Sequence, residues 1–129
     1  MCKTSTVLLV SACLLLLTGV ILGALGSHAL NDILTAQKKS SWELAVQYQL
    51  IHGIGIILIG MLYQQYTRPL LRWAGVLMLI GISIFSGSIY ASALVIPGLN
   101  QFAPYGGLSL MLSWLLVAVT IVQIRRNQS

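Results

Sequence analysis

The chain has 129 residues, of which 57% are hydrophobic and 7% charged, against roughly 25% charged in an ordinary soluble domain. That balance belongs to a membrane protein and leaves no length for a separate soluble domain beside it. The formal net charge of +5 comes from Lys3, Lys38, Lys39, Arg68, Arg72, Arg125 and Arg126, dispersed beside apolar runs, a pattern that points to membrane topology and excludes nucleic acid as a partner.

Four apolar stretches, 6–26, 44–66, 73–96 and 105–124, are each long enough to cross a hydrocarbon core that needs about 20 residues of helix. The fold class expected is an all-α membrane protein, a four-transmembrane-helix bundle forming a single membrane domain over residues 1–129. With both termini inside, Lys3, Arg68, Arg72, Arg125 and Arg126 lie on the cytoplasmic side and only Lys38 and Lys39 outside, so the positive-inside rule predicts an N-in, C-in protein.

The first stretch has small residues before Cys13, as a lipoprotein cleavage site does, but its preceding apolar run of about six residues falls short of the usual core of roughly 7–15. The span is therefore expected to be retained. Cys2 and Cys13 have no metal-ligand spacing, and no disulfide is expected. Ala12, Gly19, Gly23 and Gly26 form a stripe of small residues suited to close helix packing, and His28 in GALGSHAL marks the outer end of the helix.

Between the first two spans, residues 31–38 fit a short interfacial helix capped by Asn31 or Asp32. Ser40, Ser41, Trp42 and Glu43 match a capping box, which starts the second helix near Ser41 and leaves Trp42 at the membrane interface. On a helical wheel, Ala45, Tyr48, Gln49, His52, Gly55, Ile56, Ile59 and Tyr63 share the inner face of the second span. Leu50, Ile51, Ile54, Ile57, Leu58, Met61 and Leu62 share the lipid face. His52 falls near mid-membrane, where an ionisable side chain is costly and is a functional hypothesis by default.

In the third span Ser83, Ser86, Gly87 and Tyr90 share one face, and Gly81, Ser88 and Ser92 another; in the fourth, Gly106, Ser109, Ser113 and Thr120 form one stripe. Such residues allow close backbone approach and hydroxyl hydrogen bonds, so the four helices are expected to pack as a tight bundle. Two arrangements suit Tyr48, Gln49, His52, Ser86, Ser88 and Tyr90: a shared polar pocket, or hydrogen bonds that hold helix to helix.

His28 and His52 differ in depth by about half a bilayer, a poor match for two axial ligands that bind opposite faces of one haem. Neither has a carboxylate or thiolate placed beside it, so no metal and no cofactor are expected. Asp32 and Glu43 are the only acids, which excludes catalysis by paired carboxylates. No catalytic triad and no phosphate loop has candidates in the sequence.

The stretches GALGSHAL (23–30), WELAVQYQLIH (42–52), FSGSIY (85–90) and APYGGLSLMLSW (103–114) together resemble the domain of unknown function family 423, the YgdD-like bacterial inner-membrane proteins, to which human transmembrane protein 256 is distantly similar. The resemblance covers all four spans. It departs from the family pattern at Ser27 and Ser113, where alanine and glycine are usual, both small-for-small changes. It implies a small multi-pass protein of the bacterial inner membrane without an established activity. It singles out His28, Trp42, Tyr48, His52, Ser86, Gly87, Ser88, Tyr90, Pro104, Gly106, Gly107 and Trp114 as motif positions.

The leading functional expectation is a non-enzymatic structural or accessory membrane protein. Its alternative is a subunit of a small-molecule or proton transporter or channel with a polar pocket around His52, which four helices enclose only as an oligomer; a membrane haem or redox protein is the remote reading. The expected partners are the lipid bilayer and either further copies of the chain or another membrane protein.

Overall fold

A computed structural model describes residues 2–127, and among them every regular element is helical. Helix α1 spans Lys3–Ser27, α2 Ala36–Tyr66, α3 Pro69–Leu94 and α4 Ala103–Arg126, with a single 3₁₀ turn, Leu99–Phe102, leading into α4. All four long helices have the length and apolarity to cross a membrane. Apolar side chains such as Val10, Leu17, Ile54, Leu58, Met111 and Leu115 stay exposed on the molecule's outside, the surface a lipid environment covers.

The helix ends depart from the apolar stretches. Helix α2 begins well before Ser41, because the Thr35 side chain accepts the backbone N–H of Lys38 and caps the helix there. The Ser40 to Glu43 stretch is therefore helix interior and does not act as a capping box. Residues 31–33 form a turn and Leu34 a bend, not a separate interfacial helix, and Asn31 receives a hydrogen bond from the Lys39 ammonium instead of capping. At 31 residues α2 is about 46 Å long, so its first turns, which carry Lys38, Lys39 and Glu43, extend beyond a hydrocarbon core of about 30 Å.

Helix α3 begins at Pro69 in the first turn, where a missing N–H costs nothing, and the proline holds Arg68 extended at φ −87° and ψ 131°. The turn between α2 and α3 is thereby confined to Thr67 and Arg68, with Thr67 in the left-handed region at φ 44°.

The helices pack in chain order. The close pairs are α1 with α2, α2 with α3 and α3 with α4, with slighter contact between α1 and α3. This is a more open arrangement than a tight bundle in which each helix touches two neighbours. Its consequence is two lateral grooves, one between α1 and α3 over α2, the other between α2 and α4 over α3.

Large and small residues interdigitate along the α1–α2 seam. A Cβ added at Gly19, Gly23 or Gly26 would stand 2.8, 3.2 or 2.6 Å from Leu50, Val46 or Trp42, and one at Gly53 or Gly60 would stand 2.8 or 3.0 Å from Leu16 or Leu9. Leu50 is thus packed on α1 and only part of the expected lipid face, Ile51, Ile54, Leu58 and Met61, is open. Trp42 is not an interfacial anchor. It is 1% exposed, seated over Gly26, its Nε1–H donates to the Leu22 carbonyl at 2.9 Å, and its ring lies 4.6 Å from that of Tyr90.

The α3–α4 crossing is the tightest. A Cβ at Gly106 would fall 2.5 Å from the Phe85 nitrogen and 2.6 Å from the Gly81 carbonyl oxygen. Toward the other end of the molecule, Leu8 and Ala12 of α1, Ile56, Ile59 and Tyr63 of α2, Leu71, Ala74, Met78 and Ile82 of α3, and Leu110 and Val117 of α4 form one apolar core.

Candidate functional site: a lateral groove at His52

Hydrogen bonds between helices take up several of the polar side chains inside the spans. Ser5 donates to the Gly60 carbonyl, Ser86 to Ala45, Ser109 to Leu77 and Ser113 to Ala74. Each joins a hydroxyl on one helix to a carbonyl on its neighbour, at about 0.6 kcal/mol on average for such bonds within a membrane. Gln49 donates through Nε2 to the Leu15 carbonyl and the Thr18 hydroxyl of α1, both at 2.9 Å, and its Oε1 accepts the Tyr90 hydroxyl of α3 at 2.8 Å. One amide thereby ties α1, α2 and α3 together. Among the described residues no buried side-chain nitrogen or oxygen is without a partner.

The six candidate pocket residues do not surround one space. Gln49, Ser86 and Tyr90 line the groove between α1 and α3, together with Gly87, whose added Cβ would meet nothing within 4 Å. Tyr48 and His52 line the other groove, between α2 and α4. Ser88 faces neither, and donates to the Phe85 carbonyl of its own helix. The wheel groups Tyr48, Gln49 and His52 on one broad face correctly, but α3 packs along the middle of that face and parts them.

The remaining motif positions disperse. His28 is exposed and ends α1, its N–H bonding the Ala24 carbonyl, so the helix stops where GALGSHAL meets the loop. Pro104 lies in the first turn of α4 and is exposed. Trp42 and Gly106 are packing residues, while Gly107 and Trp114 belong to the His52 groove.

That groove has a volume of about 550 Å³ and is lined by Tyr48, Ile51 and His52 of α2, Phe85 of α3, and Gly107, Leu110, Met111 and Trp114 of α4. The Tyr48 ring stacks on Phe85 with centroids 4.5 Å apart and planes at 21°. His52, one turn along, stacks on Tyr48 at 5.5 Å and lies 6.1 Å from the Trp114 ring. Trp114 reaches across from α4 to lie over Gly55, where an added Cβ would come within 3.1 Å of the indole, and so closes one end of the groove. Ile51 and Met111, 58% and 62% exposed, flank its mouth, which opens sideways where lipid would lie.

His52 is 7% exposed, and its ring bonds the chain only through Nδ1, 2.7 Å from the Tyr48 carbonyl oxygen. A carbonyl only accepts, so in the neutral ring the proton sits on Nδ1 and Nε2 carries a lone pair. Nε2 has no partner in the chain, and since no buried nitrogen lacks one, it sits on the groove's open side. The groove thus presents the Nε2 lone pair among aromatic rings. No group of three histidine, cysteine, aspartate or glutamate side chains that could hold a metal occurs among the described residues. Sequence reasoning had no signal for Phe85, Met111 or Leu110 as groove residues, since apolar side chains facing lipid, core or groove have the same periodicity.

Residues 22–107, two-thirds of the chain, match the family described as Protein of unknown function (DUF423). The chain belongs to the DUF423 family. A UPF0382 membrane protein of Staphylococcus haemolyticus is 40% identical over 99 residues, 76% of this chain and 80% of that protein. The UPF0382 membrane protein YwdK of Bacillus subtilis is 33% identical over 83% of this chain and 89% of its own length. The UPF0382 inner membrane protein YgdD of Escherichia coli is 30% identical over 125 residues, 96% of this chain and 95% of that protein. No solved structure matches. This DUF423 protein is a multi-pass protein of the bacterial inner membrane, with four membrane-spanning helices and no characterised activity in its family.

Proposed function

We propose that this DUF423 protein is a non-enzymatic accessory protein of the inner membrane that acts by binding, and that the lateral groove between α2 and α4 is its working surface. The observation that carries this reading is the distribution of polar groups. The buried Ser5, Ser86 and Ser113 hydroxyls, Gln49 and the Tyr90 hydroxyl are engaged in holding the helices, whereas the Nε2 of His52, a residue 7% exposed, has no partner in the chain and borders an open groove. A neutral imidazole acceptor among aromatic rings suits recognition.

The transporter reading gains less support, because Gln49 and Tyr90 bond each other on the α1 side of α2 and do not continue a polar path from His52.

A groove-filling substitution tests the proposal. A Cβ at Gly107 would meet only Phe85 Cδ2, at 3.9 Å, so Gly107→Leu extends into the groove without displacing backbone. A deletion strain carrying G107L is expected to be outcompeted by one carrying the parent chain, with equal amounts of inserted protein in both. Equal fitness under every condition in which the deletion itself has a cost would overturn the reading.

A further inference from the structure

The groove's chemistry narrows what binds there; this inference rests on the groove being the working surface. His52 lies 16 residues after Ala36 and 14 before Tyr66, and Trp114 lies 11 after Ala103 and 12 before Arg126, so both sit midway along their helices and at one level. From Leu44, where the apolar part of α2 begins, His52 is about 12 Å deep at 1.5 Å per residue, within a hydrocarbon core of about 30 Å. A lone pair at that depth has little water to bond, and an unsatisfied polar group in hydrocarbon is costly. The headgroups of ordinary phospholipids lie at the surface and offer only acyl chains at this level. The donor that satisfies Nε2 must therefore belong to a molecule that carries a hydroxyl into the hydrocarbon.

The lining specifies more. Tyr48, Phe85 and Trp114 contribute aromatic rings to the lining, and stacked or tilted contacts between aromatic rings at 4.5–7 Å are favourable beyond their area. The volume of about 550 Å³ falls within the range of small-molecule sites, roughly 300–1,000 Å³. Between Ile51 and Met111 the mouth opens sideways, so a hydrocarbon tail attached to such a ring can remain in lipid.

We infer that the groove binds the head of a membrane-soluble hydroquinone: a flat aromatic ring whose hydroxyl donates to His52 Nε2 and whose apolar tail leaves through the lateral mouth. The reduced form is favoured over the quinone. The quinone oxygen is an acceptor only, as Nε2 is while the ring proton remains on Nδ1 against the Tyr48 carbonyl.

The test uses the full chain, labelled with ¹⁵N histidine, in lipid nanodiscs. Decyl-hydroquinone, kept reduced under nitrogen with ascorbate, is titrated in and the unprotonated Nε2 resonance of His52 followed, with the exposed His28 as internal reference. The expected result is an upfield, saturating shift at His52 alone. In G107L, which fills the groove and leaves the histidine in place, the apparent Kd is expected to be weakened about tenfold or more. The oxidised decyl-quinone and n-decanol, which has a hydroxyl but no ring, are expected to leave Nε2 close to its starting position.

Absence of a saturating shift overturns the inference, and so does a shift of equal size with decanol or with the quinone. If G107L loses fitness while hydroquinone fails to shift Nε2, the groove stands as the working surface and the ligand class falls. If neither effect appears, both fall together.

Discussion

Gly106 and Gly107 are adjacent in sequence and opposite in what they tolerate. An alanine at 106 would press its Cβ to 2.5 Å from the Phe85 nitrogen and 2.6 Å from the Gly81 carbonyl, and backbone cannot swing aside as the end of a side chain does. The helices must separate, at a cost of about 1–3 kcal/mol. At 107 the nearest atom is 3.9 Å away, and replacing a helical glycine by alanine is worth up to about 1 kcal/mol in the helix's favour. Unfolding by sodium dodecyl sulphate is expected to shift to lower denaturant for G106A and to stay or rise for G107A; equal shifts would contradict the close crossing. The stripe Gly106, Ser109, Ser113 and Thr120 was legible from periodicity alone, as was the α1 stripe, because small residues at helical spacing have few other uses in a membrane span. Periodicity could not show that Gly107 borders a groove. That depends on which helix lies opposite, and a single helix's wheel carries no record of its neighbours.

At the scale of the element, the four spans were readable because length and apolarity are properties of a segment taken alone. Their ends were less so, since several residues compete to cap a helix and the winner depends on how the loop approaches. Ser40 to Glu43 has the composition of a capping box, yet Thr35 accepts the Lys38 N–H and starts α2 earlier. The buried Trp42 accounts for part of this. Its indole must reach the Leu22 carbonyl across the Gly26 gap, and an α2 already helical at that point holds it there. Thr35→Ala is expected to cost about 1 kcal/mol, whereas Ser40→Ala, in an exposed helix interior, should change stability by less than about 0.5 kcal/mol. Hydrogen exchange distinguishes them site by site. The amides of 36–39 should exchange faster in T35A and be unaltered in S40A, and the reverse pattern would restore the capping box.

For the whole molecule, four antiparallel spans put Lys3, Arg68, Arg72, Arg125 and Arg126 at one end and Lys38 and Lys39 at the other. By the positive-inside rule the first end is expected in the cytoplasm. Cys2 reports on this directly. It is exposed at the start of α1, and the backbone N–H groups of Thr4 and Ser5 favour its thiolate, holding the thiol below its ordinary range so that alkylation proceeds at neutral pH. Cys13 is also exposed on the outer surface of α1 and is removed as Cys13→Ser to leave one reporter. In intact cells a membrane-impermeant maleimide is expected to leave Cys2 unlabelled until the membrane is permeabilised. In a second chain, with Cys2→Ser and a cysteine replacing the exposed Ala29, the same reagent should label at once. Labelling of Cys2 from outside would invert the protein and place Lys38 and Asn100 in the cytoplasm. It would leave the His52 groove at the same depth, because the groove is set by the middle of α2 and α4 and not by which end faces in.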